Sequence, residues 1–251
     1  MNMNKKNFKL SVIIVTVAII LSSCSKDDDN NPSLNNPTNG KTTAVFNSSV
    51  TYGTMTDQDS NVYKTVTIGT QTWMAENLRT TKYNDGNAIQ LVTDPSVWRN
   101  LSSGAYSNYD NTNITETIAT YGRLYNWYAV NTGKLAPTGW HIPTDAEWTT
   151  LTTYLGGESV AGGKLKEISN SHWNSPNTDA TNETGFTALP GGFHNYGGAF
   201  FYVGNNGYWW SKTESNTNGT WYRRMDYDGS YVGRYYSTNK ESGFSVRCVK
   251  E

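Results

Sequence analysis

The stretch Gly139-Trp140-His141-Ile142-Pro143-Thr144-Asp145-Ala146-Glu147-Trp148, running on to Leu155-Gly156-Gly157, spells a helix with both ends specified. Thr144 and Glu147 stand three apart as a capping box. The hydroxyl takes an early backbone N–H that has no carbonyl partner, and the carboxylate returns to the N–H of the cap residue. Asp145 and Glu147 also set negative charge at the positive end of the helix dipole. Pro143, just before the cap, belongs to the extended entry. Trp148, Leu151 and Leu155 then recur at helical spacing, and Gly156-Gly157 supplies a left-handed stop. Trp140 and Ile142 lead in, so apolar side chains pin the chain as it enters.

Outward from this helix the pattern is mixed. Tyr121, Leu124, Tyr125 and Tyr128 recur at i, i+3, i+4 and i+7, which predicts one face of a second amphipathic helix, broadened by Trp127 and Val130. Val160, Leu165 and Ile168 point to a further short helix. Residues 62–68 alternate like a strand that turns at Gly69, and Trp73, Met74 and Leu78 follow as core candidates. Residues 83–87 are a turn by composition, and 93–118, polar with scattered Tyr and Trp, read as a long surface loop. Beyond Asn170 the period becomes two, with short strands predicted at 185–189, 207–210 and 243–249. In the last of these Phe244, Val246 and Cys248 share the core face. Asp228-Gly229, set between 221–227 and 230–236, predicts a hairpin with a type I′ turn, which needs positive φ at both central residues.

The chain has 251 residues, of which 36% are apolar even with Tyr counted, and 13% are aromatic with nine Trp. Such a core relies on a few large, half-polar rings rather than on many aliphatics. Abundant Gly, Asn and Thr suit short strands, turns and ordered loops. The fold class expected is α+β.

Residues 1–23 read as a secretory leader: Lys5, Lys6 and Lys9 precede a twelve-residue apolar run from Leu10 to Leu21, too short to span a membrane. Leu21-Ser22-Ser23-Cys24 resembles the lipobox of bacterial lipoproteins, which implies lipidation at Cys24. Several acyl chains anchor far more firmly than one. Ser25-Lys26-Asp27-Asp28-Asp29 resembles the export signal of Bacteroidota lipoproteins, which implies display on the outer face of the outer membrane. Residues 24–50, from the lipidated Cys through an Asn-, Pro-, Ser- and Thr-rich run, are expected to be a flexible tether reaching roughly 25–30 Å. The folded domain is expected over 51–251. Without the three leader lysines the chain counts 17 basic and 21 acidic residues, net −4. That leaves no basic patch for a phosphate backbone, so nucleic acid is not an expected partner.

Several segments, in order over about 50–251, resemble the Fibrobacter succinogenes major paralogous domain. They are Thr67-Ile68-Gly69 with the run from Gln71 to Leu78, Tyr121-Gly122-Arg123-Leu124-Tyr125-Asn126-Trp127, and the capped helix. Gly185-Phe186 with Ala188-Leu189-Pro190-Gly191-Gly192, then Tyr208-Trp209-Trp210-Ser211, and the closing run from Gly243 to Val249 complete the match. This resemblance implies no particular activity. At greater distance, Ile142–Trp148 and Gly243-Phe244 with Arg247 are similar to the formylglycine-generating enzyme superfamily. That likeness implies a C-type-lectin-like single domain with two main helices, twisted antiparallel strands and long ordered loops. Enzymes of that superfamily hold copper through a pair of cysteines. With Cys24 assigned to lipid, only Cys248 remains, on an alternating strand, where it reads as a small buried hydrophobe.

No catalytic residue is assigned. His141, His172 and His194 lie at no metal-ligand spacing, and neither a nucleophile elbow nor a phosphate-binding glycine loop is present. The glycines of Gly191-Gly192 and Gly197-Gly198 read as turns. Asn174, Asn177, Asp179, Asn182 and Glu183 crowd oxygen donors into one loop, with Asp179, Asn182 and Glu183 as candidate calcium ligands; ordinary loop composition accounts for them equally well. No other cofactor is expected. Trp209, Trp210, Tyr222, Arg224 and Tyr235, with Trp221, Arg223 and Tyr236, are candidates to stack on sugar rings and hydrogen-bond their hydroxyls. Alternation places Trp221, Arg223, Met225 and Tyr227 on one face and Tyr222, Arg224 and Asp226 on the other, so one set must go to the core. The function expected is that of a non-catalytic, surface-exposed lipoprotein, attached to the membrane by its lipid, that binds a glycan or a partner protein in adhesion or nutrient capture. The competing readings are a structural subunit of a surface appendage and an enzyme of the formylglycine-generating superfamily without its cysteine pair.

Overall fold

The computed structural model describes residues 36–216, 219–237 and 239–251. The leader, Cys24 and the acidic signal after it lie outside the described residues. In chain order the first strands are β1 (Gly53–Thr56), β2 (Val62–Ile68), β3 (Gln71–Met74) and β4 (Gln90–Leu91). Then come α1 (Pro95–Arg99), β5 (Ala105–Ser107), α2 (Thr115–Tyr121), β6 (Leu124–Tyr125), α3 (Trp127–Asn131) and β7 (Trp140–His141). The helices α4 (Asp145–Tyr154) and α5 (Glu158–Leu165) follow, then β8 (Gly191–His194), β9 (Phe200–Val203), β10 (Asn206–Asn216), β11 (Gly219–Asp226), β12 (Gly233–Ser237) and β13 (Val249–Lys250).

The strands form a first sheet in the order β1-β2-β3-β13-β7, a second in the order β12-β11-β10-β8-β9, and a small third sheet β4-β5-β6. Pairing is antiparallel except between β8 and β10 and between β4 and β5. Helices and mainly antiparallel strands thus share one body, an α+β arrangement.

Helix α4 is the element that joins the two large sheets. Its capping box is complete: the Thr144 hydroxyl accepts the Glu147 N–H at 3.1 Å, and Glu147 Oε2 accepts the Thr144 N–H at 2.7 Å. Gly156 and Gly157 follow at φ 99° and 105°, the left-handed stop that the sequence predicts. Trp148 packs at a tilt 4.7 Å from Trp73 of the first sheet and 6.5 Å from Trp209 of the second. Trp148, Leu151 and Leu155 are all buried in this cluster, together with Val66, Ile68 and Met225. A second cluster on the other side of β10 gathers Tyr125, Trp127, Trp210, Phe244, Val246 and Cys248.

Six expectations change. The helix expected through Tyr121, Leu124, Tyr125 and Tyr128 is broken: α2 stops at Tyr121, Gly122 turns at φ 74°, and Leu124-Tyr125 pairs as a strand with Tyr106 and Ser107. The loop expected over 93–118 contains α1, β5 and α2, and Trp98 is fully buried in a small cluster with Val92, Leu101 and Ala105. Two expected strands do not form as continuous runs. At 185–189 Phe186 and Ala188 are buried and Ala188 makes a lone parallel bridge to Lys166. At 243–249 Gly243, Phe244 and Ser245 make single bridges to His194, Tyr125 and Trp209, while only Val249 enters β13. The hairpin keeps the register that a turn at Asp228-Gly229 sets, with Tyr222 opposite Tyr235 and Arg224 opposite Gly233. Its ladder opens beyond that pair, however, and Gly229 is not at positive φ. The buried Lys166 ammonium enters the opening and donates to the carbonyls of Asp226 (3.1 Å) and Gly229 (2.8 Å), which a tight turn does not permit.

The sixth change concerns the tether. Its described part, 36–50, lies on the body. Thr38 is buried and donates to Asn61 Oδ1 at 2.8 Å while accepting from Arg79 at 2.9 Å. Thr43 N–H reaches Thr120, Val45 N–H reaches the buried Glu167 carboxylate, and the Asn47 amide reaches the Asn182 carbonyl. A polar composition hides this packing because hydrogen bonds rather than apolar side chains do most of the holding.

Candidate functional site

The second sheet carries a row of aromatic rings to which each of its strands contributes. Cross-strand pairing puts Tyr222 of β11 beside Tyr235 of β12, stacked at 5.7 Å. Tyr208 of β10 follows at 6.1 Å from Tyr222, and Phe193 of β8 at 4.9 Å from Tyr208. On β9 two neighbouring rings reach Phe193, Phe201 at 5.8 Å and Tyr202 at 6.0 Å. Adjacent residues of a regular strand point to opposite faces. The exception has a local cause: Tyr202 lies at φ 66°, across from Gly192 at φ 63°, so the strand kinks and both rings come to one side. Only glycine fits at 192, where a Cβ would come 2.4 Å from the Phe201 carbonyl oxygen. A bulky residue in the left-handed region is a strained arrangement of the kind found at working sites.

The row is open at its two ends and closed in the middle. Tyr202 is 51% exposed, Phe201 41% and Tyr235 36%, whereas Tyr208 is 6% exposed. Phe244 packs against Tyr208, Tyr222 and Phe193 and ties the row to the core. Beside the β11–β12 end sits a polar group. Arg224 lies over the Tyr235 ring at 4.8 Å and donates to Asp226 Oδ2 at 2.8 Å. The Tyr231 hydroxyl and the Asn206 amide also donate to the Asp226 carboxylate. Loss of solvent raises the hydroxyl pKa of Tyr222 and of Tyr231, so both remain protonated donors at neutral pH.

Of the residues that the sequence nominates, Tyr222, Arg224 and Tyr235 come together on this face. Trp209 and Trp210 do not. Both are fully buried, with their indole N–H groups spent on Asn77 Oδ1 (3.0 Å) and the Tyr125 carbonyl (2.8 Å). They are core because β10 is covered on both faces, by α4 on one side and by Phe244 on the other. Arg223 is buried and paired with Asp145 at 2.7 Å, while Arg234 lies 3.7 Å over Trp221 and also holds Asp145. Phe193, Phe201, Tyr202 and Tyr208 are the members of the row that the sequence reading does not nominate. For Phe201 and Tyr202 the signal is the apolar run Phe200-Phe201-Tyr202-Val203 in an otherwise polar stretch.

Asn182 and Glu183 of the oxygen-donor loop have partners within the protein. The Asn182 side chain accepts the Thr187 N–H at 2.8 Å and donates to its hydroxyl, and Glu183 pairs with Lys164 at 3.3 Å. Asp179 carries its backbone at φ 55° and places its carbonyl beside Gly163. Among the described residues no three His, Cys, Asp or Glu side chains gather as a metal site. The three histidines are separate. His141 bonds Glu147 at 2.6 Å, His172 lies between Glu167 and Thr43, and His194 stacks between Trp98 and Phe200, where burial pushes it down to about 4. Despite partial burial, the Thr144 N–H and His141 hold the Glu147 carboxyl below the usual range. Two clefts, about 610 Å³ beside Thr67 and Tyr154 and about 310 Å³ beside His141 and Lys212, are lined by no Ser or Cys and each by a single acidic residue, Glu183 in the first and Glu251 in the second.

A family model described as the Fibrobacter succinogenes major domain matches residues 66–250. No curated protein and no solved structure matches the chain.

Proposed function

The chain belongs to the Fibrobacter succinogenes major domain family, and on that premise we propose that its domain binds a glycan along the aromatic row of the second sheet without transforming it. In this reading the domain has a C-type-lectin-like fold and stands on the outer face of the outer membrane, attached through lipid at Cys24. Adhesion or nutrient capture is the role such a placement serves. One observation carries the reading: a ring from each of five strands lies in one row whose ends, at Tyr202 and Tyr235, are open to solvent. Flat aromatic faces stack on the C–H faces of sugar rings, and hydroxyls, an amide and an arginine beside them meet sugar hydroxyls. The kink at Tyr202 supports the reading further, since strain held by the surrounding structure pre-sets the platform.

The test is a glycan array probed with residues 36–251, as wild type and as Tyr202→Gly and Tyr235→Ala. Binding by the wild type that drops about tenfold or more in each variant is the expected result. A silent array, or binding that both variants leave intact, would falsify the assignment. Attachment is tested separately: mass spectrometry should find Cys24 acylated, and protease added to intact cells should remove the domain.

A further inference from the structure

Resting on that reading, we infer that the ligand is a neutral, unbranched polysaccharide held at two half-sites, one at Phe201 and Tyr202 and the other at Tyr222 and Tyr235. The two ends of the row are exposed and Tyr208 between them is nearly buried, so the middle offers little ring surface. A single sugar therefore meets one end alone. The ends are separated by the intervening strands, and four strand spacings across the sheet amount to roughly 19 Å. Only a chain of several sugar rings reaches both. Joining two weak sites through one ligand raises affinity without any new contact, because the second encounter becomes intramolecular.

The charge of the row excludes an acidic ligand. Its charged side chains are Arg224 and Asp226, which bond each other at 2.8 Å, and Tyr231 and Asn206 also donate to that carboxylate. The arginine is thus already neutralised, and an acidic sugar would have to break the pair or lie beside Asp226. Hydroxyls make no such demand. The row crosses the strands one after another, stepping by two residues between Tyr208 and Tyr222, and this continuous line suits an unbranched chain.

The inference is tested by calorimetry on residues 36–251 with linear oligomers of glucose, xylose and mannose from one to six units, and with an oligogalacturonate series of the same lengths. The expected result is that at least one neutral series gains about tenfold in affinity once the oligomer reaches about four units, then levels off. Both Tyr202→Gly and Tyr235→Ala should abolish that gain, and added salt should leave it unchanged. A monosaccharide bound as tightly as the longer oligomers overturns the two-site inference, as does a preference for the acidic series that salt weakens. In both of those cases glycan binding itself stands. Array binding confined to branched glycans, with the neutral linear series inert, likewise overturns the inference alone. Binding to no glycan in either experiment removes the function on which it rests.

Discussion

Tyr202 holds a left-handed backbone, φ 66°, that an L side chain adopts at a cost of roughly 1–2 kcal/mol. Glycine escapes that cost and alanine does not. Tyr202→Gly should therefore be more stable than Tyr202→Ala by about 1 kcal/mol in urea unfolding, although both lack the ring. Equal midpoints would show that the kink carries no strain. Lys166 supplies a second residue-scale expectation. Burial pushes its ammonium down to about 8 from 10.5. Above pH 8 the folded chain gives up a proton that the unfolded chain still holds up to pH 10.5, so stability rises with pH across that window. Tyr63, Tyr125 and Tyr208 act in the opposite sense. Burial raises their folded values above 10.0, so the unfolded chain ionises first and stability falls above that pH. Melting temperatures from pH 7 to 11 should show a rise and then a fall, and Lys166→Met should flatten the rise alone.

Helix α4 shows how far an element can be read from local residues. Its cap, its apolar face and its stop all lie within the segment, and each appears where the spacing puts it. Thr144→Ala should cost about 1 kcal/mol in chemical denaturation, because the Glu147 N–H loses its acceptor. The segment around Gly122 shows the opposite. Apolar spacing alone reads as one helix, yet Leu124 and Tyr125 find partners in β5 and in Phe244 that no local pattern announces. Gly122 is the clue within the segment. A Cβ there would stand 2.7 Å from Asn77 Cβ and 2.8 Å from the Leu78 carbonyl oxygen, at a φ of 74°. Gly122→Ala should therefore lose more than the 1–2 kcal/mol of left-handed strain alone, read by the same denaturation assay.

For the molecule as a whole, residues 36–50 belong with the body that they touch. Thr38, Thr43, Val45 and Asn47 each make a hydrogen bond to a distant segment, and the Glu167 carboxylate that receives Val45 is buried. At about 1 kcal/mol for each bond, residues 51–251 should be about 3–4 kcal/mol less stable than residues 36–251 in urea unfolding. Equal stability would make the strap a passive covering.

By itself the sequence determined the capped helix, the strand at 62–68, the hairpin register, the burial of Phe244, Val246 and Cys248 and membership of the family, because each depends on residues close in the chain or on an ordered set of motifs. It also determined that Tyr222 and Arg224 share a face, since side chains alternate along a strand. Which aromatics meet solvent was decided only by the tertiary structure. Burial depends on what the rest of the chain packs against a residue: Trp148 and Phe244 take Trp209 and Trp210 into the core, while a kink at Tyr202 brings an unremarked strand to the surface.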